Sequence, residues 1–196
     1  EHFGVVKFGG GEMRREKSLE QAHVALAFEG PSYRDDEIYT AQIYSVALGG
    51  GMSSRLFQEI REKHGLCYTI FAQAGAFSDS GMITVYAGTS EAQLPDLLEL
   101  TFAELGRAAN DLSVSELERA RAQMKAGMLM GLESASTRAE RLARQVQVWG
   151  YVPDLEEIVA KIESVTLDGL RGFAEYTAQH APTALALYGP VNRAPS

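Results

Sequence analysis

A chain of 196 residues that is 45% hydrophobic and 22% charged has the balance of a globular protein with one sizeable core, and excludes the disordered and collagen-like classes. A formal charge of −8 and a pI near 5.1 give no electrostatic reason to approach nucleic acid or an anionic bilayer, since both reward clustered Lys and Arg. No apolar run approaches the ~20 residues that span a membrane and no signal pattern opens the chain, so a soluble protein is expected, one that begins like the middle of something longer.

In chain order, residues 1–20 carry Gly4, Gly9, Gly10 and Gly11 among mixed charges and read as a linker arm. Arg14, Arg15 and Lys17 are its dense basic cluster, solvated beside Glu12 and Glu16. The domain proper is expected over 21–190, with a tail at 191–196. From 21 to 29, Ala22, Val24, Leu26 and Phe28 alternate with Gln21, His23, Ala25 and Ala27, which predicts a strand with one apolar face. His23, on the other face, reads as a satisfied or exposed histidine rather than a ligand, because no second histidine or carboxylate stands at metal spacing nearby. Gly30-Pro31-Ser32 breaks the strand, and Ile38, Ala41, Ile43, Tyr44, Ala47 and Leu48 predict a helix running into Gly49-Gly50-Gly51. Those glycines read as a hinge. Ser53 or Ser54 then caps a short helix with Leu56, Phe57 and Ile60 on one face and Arg61 at its end, and Gly65 supplies a left-handed stop before a strand from Leu66.

Strands over about 67–77 and 82–88, joined by Ser78-Asp79-Ser80-Gly81, predict a hairpin. Ser90 with Gln93, and Ser113 with Glu116, read as capping boxes. Leu94, Leu97, Leu98, Phe102 and Leu105 mark the first helix; Leu117, Ala120, Met124, Met128 and Leu132 stripe the second, the methionines as core filler. Thr137 with Glu140, Pro153, and Thr166-Leu167-Asp168 open further helices, and 183–188 closes the chain as an apolar strand before Gly189-Pro190. The order predicts an α+β fold, a largely antiparallel sheet with helices packed on one face.

The chemistry is sparse. His2, His23, His64 and His180 belong to no H-E-x-x-H or H-x-x-E-H arrangement, and there is no C-x-x-C, G-x-S-x-G elbow, P-loop or dinucleotide fingerprint. A zinc site made by this chain alone is therefore not expected. The single cysteine, Cys67, reads as a small buried hydrophobe and fits a reducing compartment. What remains is Arg61 and Tyr68. A cation in the last helical turn complements the helix dipole by roughly 0.3–1 kcal/mol, and a tyrosine suits a half-buried strand; the alternative is that both contact a substrate.

Residues 49–68, with Gly49-Gly50-Gly51-Met52-Ser53-Ser54-Arg55-Leu56-Phe57, Ile60-Arg61-Glu62, Gly65-Leu66 and Tyr68, resemble the second, non-zinc half of the family of pitrilysin, insulin-degrading enzyme and the mitochondrial processing peptidase. Gly30-Pro31-Ser32-Tyr33, Leu132-Glu133-Ser134 through Arg138, Trp149-Gly150, Val165-Thr166 and Gly189-Pro190 extend the resemblance over about 20–190. It implies a clamshell zinc endopeptidase whose N-terminal half supplies the inverted motif H-x-x-E-H and a downstream glutamate ligand. Zinc then belongs to the complete enzyme, with none bound by this chain, which alone is expected to be inactive. Carried over by position, Tyr68 donates to the oxyanion of a tetrahedral intermediate, and Arg61 binds a substrate carbonyl or holds the tyrosine. Gly49, Gly50 and Gly51 correspond to the glycine-rich substrate loop of the non-zinc processing subunit, shorter here, so that a hinge is the default. The implied partners are a zinc-bearing N-terminal half or subunit and a peptide substrate, with no nucleic acid and no membrane; homodimer and heterodimer stay open. The implied compartment is a bacterial-type cytoplasm, with the mitochondrial matrix or periplasm as alternatives. A non-catalytic assembly role, like that of respiratory complex core proteins, is the competing reading.

Overall fold

The computed structural model describes residues 6–195; the start of the expected arm, including His2, and Ser196 of the expected tail lie outside the described residues. Five strands, β1 (Gly11–Glu16), β2 (Ala22–Gly30), β3 (Thr69–Ala76), β4 (Gly81–Thr89) and β5 (Thr183–Gly189), form one sheet in the order β1-β5-β2-β4-β3. All neighbours are antiparallel except β1, which runs parallel to β5. Around the sheet lie α1 (Ile38–Gly49), a π-helix (Phe57–Lys63), α2 (Leu94–Asp111), α3 (Val114–Gly131), α4 (Ala135–Trp149), α5 (Leu155–Ser164) and α6 (Leu167–Gln179). This is the expected α+β architecture. Among the described residues no helix is long and apolar enough to cross a membrane.

The alternation read in β2 decides which face is covered. Ala22, Val24, Leu26 and Phe28 are buried, together with Ile83, Val85 and Ala87 of β4 and Ile70 and Ala72 of β3. They share one core with Ile43, Tyr44 and Leu48 of α1, Leu97 and Leu105 of α2, and Leu170 and Phe173 of α6. Each fully buried large side chain contributes roughly 1.5–3 kcal/mol relative to exposure. Met124 and Met128 pack against this core as filler.

Several boundaries differ from expectation, each for a local reason. Gly11–Glu16, expected within a linker arm, is instead an edge strand: its side chains are all exposed, so only its backbone ladder to β5 makes it a strand. The expected tail is partly core, because Val191 and Ala194 are buried, Arg14 Nη1 donates to the Ala194 carbonyl at 2.9 Å, and Asn192 Nδ2 donates to Glu16 Oε1 at 2.8 Å. The hairpin forms as expected, its loop closed by the Phe77 N–H to the Ser80 carbonyl at 2.7 Å. At Ser113 the capping box is complete, the Ser113 N–H donating to Glu116 Oε2 at 2.9 Å and the Glu116 N–H to Ser113 Oγ at 3.3 Å. Ser90 and Gln93 make no such box; Ser90 Oγ donates to Gln93 Oε1 at 2.9 Å and α2 starts only at Leu94, with Pro95 in its first turn. Ser134, not Thr137, caps α4, whereas Thr166 caps α6 by accepting from the Gly169 N–H at 3.0 Å.

Candidate functional site

The glycine run joins α1 to the π-helix, and its three residues do different things. None has a positive φ. Gly49 ends α1 directly on β3, where a Cβ would collide with the backbone nitrogen of Ala72 and come within 2.7 Å of its methyl carbon. At Gly49 packing, not backbone freedom, asks for glycine. The Gly50 N–H closes α1 by donating to the Val46 carbonyl at 2.9 Å, and Gly51 faces only the side chain of Gln123. The Gln123 amide in turn donates to the Gly50 carbonyl, so α3 holds the loop.

The helix after the loop is the expected one in position but not in kind. It is a π-helix without a side-chain cap, and Ser54 Oγ donates backward to the Gly51 carbonyl at 2.5 Å rather than accepting from the helix. Leu56 and Ile60 are fully buried, and Phe57 packs against the same core. Gly65 adopts φ +63°, the left-handed stop the sequence predicts, and the next amide, that of Leu66, reaches back to the Ile60 carbonyl at 3.0 Å.

Arg61 and Tyr68 stand on either side of this stop. The guanidinium carbon of Arg61 lies 4.6 Å from the centroid of the Phe57 ring, and its side chain is 39% exposed. Among the described residues it makes an ion pair with Glu62 at 3.7 Å, beyond hydrogen-bond distance, and no hydrogen bond. Tyr68 is 67% exposed, and its N–H donates to the Gly88 carbonyl at 3.0 Å just before β3 begins. The turn between them is fixed from the end of β4: the Thr89 hydroxyl donates to the Leu66 carbonyl and Gln93 Nε2 to the Gly65 carbonyl at 3.0 Å. The backbone between the two is thus pinned at Gly65 and Leu66, with an accessible polar side chain on either side of it. Cys67 between them is buried, and burial pushes its thiol up to about 11, opposing thiolate chemistry.

A second cation anchors the same segment. Arg55, with a side chain only 13% exposed, donates from Nε to Glu116 Oε1 at 2.6 Å and from Nη2 to Glu116 Oε2 at 3.0 Å, and also pairs with Asp111. Burial would raise the Glu116 carboxyl, but hydrogen bonds from Arg55 and Ser113 outweigh it and hold it below the usual range. A depressed native pKa contributes stability above the unfolded value near 4.3, which is lost as the pH falls through the native value. Glu116→Gln keeps a residue competent for the capping box and removes the charge. It should cost roughly 1–2 kcal/mol at pH 7, and the gap to wild type should narrow in thermal melts taken at pH 3.

The sheet face away from the core carries a row invisible to sequence reading. The Phe71 and Tyr86 rings lie 5.2 Å apart, His23 stacks on Tyr86 at 6.1 Å and lies 6.3 Å from Tyr188, and Lys17 Nζ is 5.9 Å over Tyr188. His23 Nδ1 and the Tyr86 hydroxyl share a 2.7 Å hydrogen bond, so the histidine is satisfied as expected. The signal missed was register: these residues become neighbours only once β5, β2, β4 and β3 pair.

Among the described residues no group of three or more His, Cys, Asp or Glu is placed to hold a metal ion. The described residues thus offer no ligand set that fits a zinc centre.

Known proteins bear on this arrangement. The family model described as the peptidase M16 inactive domain matches residues 2–124. An uncharacterized zinc protease of Bacillus subtilis is 35% identical over 188 residues, covering 94% of this chain and 45% of that protein. One of Streptomyces coelicolor is 36% identical over 176 residues, covering 89% of this chain and 38% of that protein. The chain thus spans less than half the length of these curated relatives. Among solved structures, a chain of complex III2 from Candida albicans superposes with a TM-score of 0.87 at 20% identity, over 95% of this chain and 47% of that one. A protease from Helicobacter pylori does so with a TM-score of 0.77 at 21% identity, over 92% and 44%. At such identities these likenesses speak for the fold.

Proposed function

Because the chain belongs to the peptidase M16 family, as its inactive domain, we propose that it is the substrate-clamping half of a zinc-dependent endopeptidase that processes or degrades peptides. Its Arg61 and Tyr68 complete a site whose metal and water-activating groups stand on another half or subunit. The observation that carries this reading is the pair itself: two accessible polar side chains at one end of the sheet, joined by a turn that the core, Thr89 and Gln93 hold in place. In that role the Tyr68 hydroxyl donates to the oxyanion formed when a peptide carbonyl is attacked, and the Arg61 guanidinium binds a neighbouring carbonyl and orients the chain. The aromatic row from Phe71 to Tyr188 then lies on the wall past which the peptide runs. Leu142 and Val146, exposed one turn apart on α4, add to the surface available to a second half. The relatives' names as zinc proteases, and this chain's share of their length, support a metal held elsewhere in the whole protein. The pairing is with that half in the same polypeptide or with a separate subunit, in a bacterial-type cytoplasm.

The test is reconstitution. This chain alone should leave a quenched fluorescent peptide intact, and should cleave it when joined to, or mixed with, the remaining half in the presence of zinc. Stoichiometric zinc held by protein ligands of the isolated chain, or cleavage without a partner, would overturn the assignment. A complete protein that assembles with zinc yet cleaves no peptide would favour the assembly role instead.

A further inference from the structure

We propose that Phe57 is the positioning residue for Arg61, its ring holding the guanidinium by its face so that the N–H donors stay free for backbone carbonyls of an extended peptide. The proposal rests on the reading of Arg61 as a substrate contact. Three observations carry it. The Arg61 guanidinium carbon lies 4.6 Å from the Phe57 centroid, well inside the ~6 Å over which a ring attracts a cation. Phe57 is itself fixed, packed against the core on a π-helix whose neighbouring Leu56 and Ile60 are fully buried, so the platform does not drift. The way this arginine is held also differs from that of Arg55 and Arg171. Arg55 spends its donors on Glu116 and Asp111, and Arg171 donates to the Leu112 carbonyl from both Nε and Nη2. The Arg61 side chain makes no hydrogen bond among the described residues and meets Glu62 only at 3.7 Å.

The distinction matters chemically. A carboxylate partner would hold the guanidinium but occupy the fork of N–H groups that carbonyl oxygens need. An aromatic face restrains the same plane without using a single donor. A long arginine restrained before the peptide arrives loses less rotamer freedom on binding, so part of the ordering is done in advance.

The experiment uses the complete zinc-bearing protein and a double-mutant cycle with a peptide substrate. Phe57→Leu should raise KM roughly two- to fivefold with kcat little changed, the fold-change expected of an exposed cation–π contact. Phe57→Trp should restore it, and Phe57→Leu should add nothing in an Arg61→Ala background. Thermal melts of each variant separate a loss of fold, which would lower Tm and kcat together, from the KM change expected here. Equal penalties for Phe57→Leu in both backgrounds would overturn the positioning role while leaving Arg61 its substrate contact. If Arg61→Ala alone leaves KM and kcat unchanged, the underlying reading of Arg61 fails, and the role of Phe57 with it.

Discussion

Replacing Tyr68 by Phe in the complete zinc-bearing protein is expected to lower kcat about 10²–10³-fold, the effect of removing one oxyanion donor, worth about 2.7–4 kcal/mol of transition-state stabilisation. KM should change little, because the hydrogen bond at issue strengthens only as charge develops on the carbonyl oxygen. Zinc content should match wild type, since the chain has no metal cluster among its described residues for the mutation to disturb. The fold should tolerate the change: Tyr68 is largely exposed, its backbone N–H still reaches Gly88, and the Thr89 and Gln93 hydrogen bonds to the turn do not involve the phenol. Steady-state kinetics with matched melting curves check all three points. A variant with near-normal kcat and raised KM would make Tyr68 a grip on the ground state. Full activity in both Tyr68→Phe and Arg61→Ala would remove the pair from the active site altogether.

What could be read from the sequence divides along a physical line. Elements whose pattern faces the core were legible: the alternation of Ala22, Val24, Leu26 and Phe28 gave β2, the Ser113/Glu116 box gave the start of α3, and Gly65 gave the left-handed stop. β1 was not, because an edge strand with every side chain exposed writes nothing in apolar periodicity; it exists through backbone pairing to a strand from the far end of the chain. The burial of Val191 and Ala194 was hidden for the same reason, being set by where the chain returns after β5. The π-helix escaped because Leu56, Phe57 and Ile60 satisfy either helical winding, so the apolar pattern does not tell the wider turn from an α-helix. At the site, Arg61 and Tyr68 were legible as a spacing, whereas the ring beneath the guanidinium and the aromatic row across the sheet needed geometry.

Gly49→Ala should be strongly destabilising. The α-carbon of Gly49 lies so close to β3 that an added methyl meets the Ala72 nitrogen, the Ala72 methyl carbon and the Phe71 carbonyl carbon at once, and two of these are backbone that cannot rotate away. Relief requires α1 to lift from the sheet, breaking packing around Leu48 and Ala72. The cost should sit at or above the upper end of the roughly 1–3 kcal/mol typical of overpacking, lowering Tm by roughly 6–12 °C for a chain of this size. Gly51→Ala, which meets only the far end of Gln123 at 3.5 Å, should stay within about 0.5 kcal/mol of wild type. The pair of substitutions separates packing from hinge motion, because a hinge would lose turnover at Gly51 with stability intact, whereas a packing contact loses stability at Gly49 and carries activity down with it. Adding Ala72→Gly to Gly49→Ala removes the methyl contact but not the collision with the backbone nitrogen, so it should restore only part of the lost Tm. Full rescue would mean that the side chain, not the close approach of α1 to the β3 backbone, sets the requirement for glycine. Since Gly49 leads directly into the loop that Arg55 and Gln123 tie to α3, any shift of α1 is transmitted to the π-helix that bears Arg61. Peptidase activity of the complete protein should therefore fall together with the melting temperature.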